Sequence, residues 1–132
     1  MNCLGHDFLF VYGTLLKQAD NEMSRFLASH SHCIGDGYFQ GKLFQVAHYP
    51  GAILSDAPAD KVYGSVYQLY HASTVFNVLD DYEGINEQSD VPDLYKRILV
   101  EAWLFDKRKL KAWVYIYNRP TKGLPVISSG KY

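Results

Sequence analysis

Gly35-Asp36-Gly37-Tyr38-Phe39-Gln40-Gly41-Lys42 sets glycines at 35, 37 and 41 among aromatic residues that favour an extended strand. Glycine at that density within strands marks bends or bulges, the devices a small barrel requires. Two strand-like pieces are expected here, one around Tyr38-Phe39 and one over Lys42 to Ala47. The same stretch fails as a phosphate loop. A P-loop needs four residues between its glycines and then Lys followed by Ser or Thr, whereas Gly35 and Gly41 enclose five and Leu43 follows Lys42. The dinucleotide fingerprint fails as well, because Gln40 stands where its third glycine belongs and no helix follows.

Upstream, Phe8-Leu9-Phe10-Val11-Tyr12 is a short apolar run that stops at Gly13 and reads as a buried strand. Asn21 to His30 reads as a helix: Asn21 caps it, Glu22 suits its first turn, and Met23, Phe26 and Leu27 share a face. Downstream, His48 to Asp60 reads as a loop with its sharpest turn at Tyr49-Pro50-Gly51, and Val62 to Tyr70 as a tyrosine-rich strand. A second helix starts at Ser73 or Thr74, buries Val75, Phe76, Leu79 and Tyr82, and ends at Gly84. After the polar stretch Ile85 to Pro92, strands at Tyr95 to Phe105 and Leu110 to Tyr117 flank the charged turn Asp106-Lys107-Arg108-Lys109. A tail begins at Asn118. Two helices are too few for crossovers between successive parallel strands, which excludes a doubly wound sheet. The expectation is an α+β domain over residues 1–132, a mixed and mainly antiparallel sheet curled into a barrel with helices outside.

Composition narrows the function. Apolar residues are 48% of the 132, so the chain can build a core and is not disordered. Thirteen basic residues against 14 acidic leave a net charge of −1, which excludes a general polyanion binder and makes nucleic acid an unexpected partner. A small acidic ligand stays open, since one anion needs only a local cluster of donors. Cys3 and Cys33 make no disulfide framework, the N-terminus lacks signal-peptide form, and the longest apolar run, Phe8 to Leu16, is far short of a membrane span. A cytoplasmic protein with no membrane partner is expected.

Several chemical motifs are absent or weak. His30-Ser31-His32-Cys33 concentrates metal-ligand types but has no second cluster at ligand spacing, so no metal or cofactor is expected. No Gly-x-Ser-x-Gly elbow occurs. Two constellations remain. Tyr12-Gly13-Thr14-Leu15 ends the first strand, and successive peptide N–H groups leaving such a turn can cradle an anion without a lysine. The plainer reading is a bend with a local Thr14 turn bond. Leu79-Asp80-Asp81-Tyr82-Glu83-Gly84 crowds carboxylates at a helix C-terminus, where each costs about 0.3–1 kcal/mol if exposed. For Asp80 and Asp81 a solvated acidic helix end is the simpler account. For Glu83 that account stands beside a second of equal weight: the negative surrounding disfavours the charged form and suits a group that takes and returns a proton near neutrality.

Phe10-Val11-Tyr12-Gly13-Thr14-Leu15, Tyr49-Pro50-Gly51, Gly64 with Val66-Tyr67, Leu79-Asp80-x-Tyr82-Glu83-Gly84 and Tyr95-x-Arg97 occur in one order. In that order they resemble the γ-glutamylcyclotransferase-like family, over about Phe8 to Tyr117. The resemblance implies a small β-barrel with flanking helices. It also implies that Tyr12, Gly13, Thr14 and Leu15 hold the substrate's α-carboxylate through backbone donors and that Glu83 is the catalytic acid/base. Tyr49, Pro50 and Gly51 would shape the pocket, and Tyr95 and Arg97 would line and support it. The implied reaction converts a γ-glutamyl amine or amino acid to 5-oxoproline and a free amine, with a small γ-glutamyl substrate and no cofactor. The alternative is a catalytically idle domain of the same fold that binds a small molecule. The chain departs from the family pattern at Gly130-Lys131-Tyr132 and in the polar segment Ile85 to Leu94, two places that bear on the leaving group.

Overall fold

The computed structural model describes residues 7–12, 22–46, 50–82 and 95–131, leaving aside the side chains of 22–24, 81 and 82. In chain order the elements are β1 (Asp7–Val11), α1 (Glu22–Ser29), β2 (Ser31–Gln45), β3 (Pro50–Leu54), β4 (Lys61–Leu69), α2 (Ala72–Tyr82), β5 (Tyr95–Leu104) and β6 (Lys109–Tyr117). β2, β4, β1, β6 and β5 are hydrogen-bonded in that order, and β5 returns to β2, closing a five-stranded barrel. β1 runs parallel to β6; every other pairing is antiparallel. The expected mixed, mainly antiparallel barrel with two flanking helices is the architecture found.

The glycine-rich stretch closes the barrel as one bent strand instead of two pieces. The ladder between β2 and β4 shifts register between Cys33 and Gly35, leaving Ile34 as an extra residue. Two residues on, Gly37 pairs with Gly64 of β4 and with Leu104 of β5. A Cβ on Gly37 would lie 2.1 Å from the Trp103 carbonyl oxygen, and one on Gly64 would lie 2.1 Å from that of Val11. Neighbouring backbones therefore cross at distances that only glycine permits. The β5–β6 turn seals the same seam: Phe105 N–H donates to Asp36 O at 3.0 Å, and Arg108 Nη2 donates to Ile34 O at 2.7 Å.

Strand alternation divides the apolar residues into two layers. Phe10, Phe39, Val62, Val66, Ala112, Val114 and Ile116 fill the interior, where Phe10 meets Phe39 edge-on at 5.1 Å. Such an aromatic pair adds roughly 0.5–1.5 kcal/mol beyond its area. Leu9, Val11, Leu69, Tyr115 and Tyr117 face the other way and join Leu27 of α1 and Val75, Phe76 and Leu79 of α2. The apolar faces expected of both helices thus pack on the outer wall through Phe26, Leu27, Val75, Phe76 and Leu79; the side chains of the other predicted members, Met23 and Tyr82, lie outside the described residues.

The loop expected over His48 to Asp60 holds only in part. Pro50–Leu54 is a strand that pairs with β2, from Gly41 opposite Leu54 to Gln45 opposite Pro50. The turn-forming residues Tyr49-Pro50-Gly51 masked it, although proline is admissible as a strand's first residue. The tail from Asn118 is held to the barrel by main-chain bonds. Gln45 N–H donates to Pro125 O at 2.9 Å, Ile127 N–H to Leu43 O at 2.7 Å, and Tyr63 N–H to Gly130 O at 2.8 Å, so it straps β2 and β4.

Candidate functional site

β1 brings Tyr12 to the end of the barrel, with its ring turned inward 6.3 Å from Phe39. The Tyr12 hydroxyl donates to the carbonyl oxygen of Tyr115 at 2.5 Å and accepts from the Ala52 N–H at 3.1 Å. One phenol thereby links β1 to β6 and β3, each bond adding about 1 kcal/mol net. Gly13, Thr14 and Leu15, the candidate anion cradle, follow directly in the chain and lie outside the described residues.

α2 is fixed by buried Val75 and Leu79, and Phe76 meets Trp113 edge-on at 6.0 Å. One residue past Leu79, the Asp80 carboxylate takes Arg97 through two bonds, Nε to Oδ1 at 2.9 Å and Nη2 to Oδ2 at 3.1 Å. The Tyr115 hydroxyl donates to the same Oδ1 at 2.6 Å. The Arg97 guanidinium stands 4.0 Å from the Phe76 ring centroid and 4.9 Å from that of Trp113. A planar guanidinium, forked onto a carboxylate and flanked by aromatic rings, is held in one orientation. The expectation of a solvated Asp80 is therefore corrected: its side chain is only 25% exposed, and its charge is matched. Arg97 also offsets the unfavourable position of a carboxylate at a helix C-terminus. The side chain of Asp81, and Glu83 entirely, lie outside the described residues.

The third element of the arrangement is β5. Tyr95 is buried, donates its hydroxyl to Pro50 O at 2.6 Å and packs edge-on against Tyr117 at 6.0 Å. Tyr95 pairs with Tyr117 and Arg97 with Tyr115 in the β5–β6 ladder, which sets Arg97 beside the Tyr115–Asp80 bond. Pro50 and Gly51 open β3 opposite Gln45 and Phe44. Tyr49 lies outside the described residues.

Of the candidate residues, Tyr12, Pro50, Gly51, Tyr95 and Arg97 are described, and they collect at one end of the barrel. Asp80 and Tyr115 complete the bonded set and were missed as contributors. A carboxylate breaking the helix-end rule was a signal for Asp80; Tyr115, one tyrosine among 11, carried none. Away from this end, His30 Nδ1 lies 2.8 Å from Phe26 O and 2.9 Å from Ser29 Oγ, with its ring stacked on Phe26. Among the described residues no group of three or more His, Cys, Asp or Glu is placed to hold a metal ion. No described helix is long and apolar enough to cross a membrane.

Residues 9–132 match the model of the family described as "Gamma-glutamyl cyclotransferase, AIG2-like". A "Gamma-glutamylcyclotransferase family protein ytfP" from Citrobacter rodentium (strain ICC168) is 29% identical over 126 residues, covering 94% of this chain and 93% of the relative. Among solved structures, YkqA from Bacillus subtilis superposes with a TM-score of 0.69 at 25% identity, over 96% of this chain and only 39% of that longer one. An AIG2-like protein from Mus musculus has the same fold, with a TM-score of 0.64 at 18% identity over 89% of this chain and 90% of its own. Barrel, helices and family match define the class, a γ-glutamyl-cyclotransferase-like β-barrel. The chain belongs to the gamma-glutamyl cyclotransferase, AIG2-like family.

Proposed function

We propose that this protein is a γ-glutamyl cyclotransferase that releases 5-oxoproline and a free amine from a small γ-glutamyl amine or amino acid. The α-amine of the substrate attacks its own γ-carbonyl carbon, a C–N bond closes a five-membered ring, and the C–N bond to the departing amine breaks. Both reactants are tethered already, and well-oriented intramolecular partners reach effective molarities of roughly 10^5–10^8 M. The obstacle is the proton on the α-ammonium. Glu83 takes it and returns it to the leaving nitrogen, and the attacking nitrogen sheds its second proton to water as the ring amide forms, so the carboxylate ends as it began. Peptide N–H groups of Gly13, Thr14 and Leu15 hold the α-carboxylate and thereby aim the amine. Tyr49, Pro50 and Gly51 shape the pocket, and Tyr95 supports β3 through Pro50.

One observation carries this reading within the matched family. Tyr12, which immediately precedes Gly13, and Asp80, three residues before Glu83, are both hydrogen-bonded to Tyr115. The chain enters the candidate cradle and approaches the candidate acid/base from two anchors on one residue. The test is a panel of γ-glutamyl amides with amino-acid, alkylamine, lysine ε-amine and cysteinylglycine leaving groups, assayed for cyclised product. Release of 5-oxoproline from at least one is expected. Binding of γ-glutamyl compounds without turnover of any would instead identify a ligand-binding domain of this fold.

A further inference from the structure

We infer that Tyr115 is a positioning residue that couples the two halves of the catalytic site, using its carbonyl oxygen for one and its side-chain hydroxyl for the other. The inference rests on the cyclotransferase reading and adds a residue to it. Tyr115 lies in β6, the strand between β1 and β5 in the barrel, and is buried. Its carbonyl oxygen receives the Tyr12 hydroxyl, fixing the last described residue before Gly13. Its own hydroxyl donates to Asp80 Oδ1 at 2.6 Å, fixing the last turn of α2 before Glu83. Arg97, paired with Tyr115 across the β5–β6 ladder, holds the same carboxylate by its two-bond fork.

The physics favours placement over simple stability. A helix end attached by side-chain packing alone can shift along its axis or roll. Three hydrogen bonds converging on one carboxylate from two neighbouring strands remove both freedoms. The proposed reaction demands a proton acceptor held accurately against a substrate whose carboxylate is bound by a different segment. A misplacement of about 1 Å can cost on the order of 10^2-fold in rate. Tyr115 touches both supports, so it sets the distance between them. It does not itself need to contact the substrate.

Tyr115→Phe deletes only the hydroxyl and leaves the carbonyl bond to Tyr12 in place. With a γ-glutamyl amide that the wild-type protein cyclises, kcat is expected to fall by about tenfold or more, with KM changed less than about twofold. Asp80→Asn keeps an oxygen acceptor for Tyr115 and is expected to retain more kcat than Asp80→Ala. Tyr115→Phe added to Asp80→Ala is expected to cost no further kcat, because both remove the same bond. Hydrogen exchange in Tyr115→Phe is expected to quicken in peptides spanning the end of α2, with the remaining strands unaltered. Wild-type kcat in Tyr115→Phe, or a loss of kcat that follows only the fraction unfolded, overturns the inference while leaving the cyclotransferase reading intact. A wild-type protein that cyclises no γ-glutamyl amide overturns that reading, and the coupling role falls with it.

Discussion

Asp80 and Tyr67 are two residues whose surroundings differ from what their neighbours in the chain suggest. Asp80 sits in an acidic run and reads locally as a solvated charge, yet its partners come from 17 and 35 residues further on. Chain-local rules describe the helix dipole and cannot see a guanidinium delivered by β5. Tyr67, opposite Cys33 in the β2–β4 ladder, has its phenol pushed up to about 12, first by burial and then by the neighbouring Cys33 thiol. The folded protein therefore keeps this proton longer than the unfolded chain does. The associated stability is whole below the ordinary tyrosine value of 10.0 and is lost as pH rises through about 12. Tyr67→Phe is expected to flatten the fall in urea midpoint across that alkaline window. A fall as steep as in the wild type would show that the phenol is not responsible.

Among the elements, β2 and its partners were the best and the worst anticipated. Its glycines announced curvature, because a residue lacking Cβ within a strand has few other uses, and the bulge at Ile34 and the Gly37–Gly64 crossing are that curvature. β3 escaped notice because turn chemistry dominates Tyr49-Pro50-Gly51 and the pairing that makes it a strand is supplied by residues 41–45. The crossing gives a sharp expectation. Gly64→Ala would set a methyl 2.1 Å from the Val11 carbonyl oxygen and 2.8 Å from Phe10 Cε1, so β1 and β4 must separate. A loss of about 3 kcal/mol or more is expected, at the upper end of overpacking effects. Chemical denaturation measures it; an unchanged midpoint would mean the barrel widens there at no cost. The hairpin of β5 and β6 and both helices were readable because their alternation and periodicity are local properties.

For the whole molecule, closure explains why the site's supports lie together. In a five-stranded barrel the ends of β1, β5 and β6 are neighbours, so segments far apart in the chain start from adjacent points. The ordered motifs made the family and this general arrangement readable from the sequence. The bonds that fix it were not, since Tyr12 to Tyr115, Pro50 to Tyr95 and Asp80 to Arg97 are set by three-dimensional closure alone. The strap at 124–131 belongs to the same level. Its three main-chain bonds and the packing of Ile127 on the interior predict that removing residues 124–132 costs about 3–5 kcal/mol, a large share of an ordinary domain's stability. Thermal unfolding of the truncated chain checks this, and an unaltered midpoint would make the strap dispensable.

Glu83→Gln tests the proposed chemistry most directly, by quantifying 5-oxoproline formed from the best γ-glutamyl amide of the panel. The substitution keeps shape and removes only the capacity to carry a proton. Turnover is expected to fall by about 10^2–10^4-fold while the melting temperature stays close to that of the wild type. A Glu83→Gln protein that still cyclises substrate at nearly the wild-type rate would contradict the assignment of the proton carrier and, with it, the mechanism.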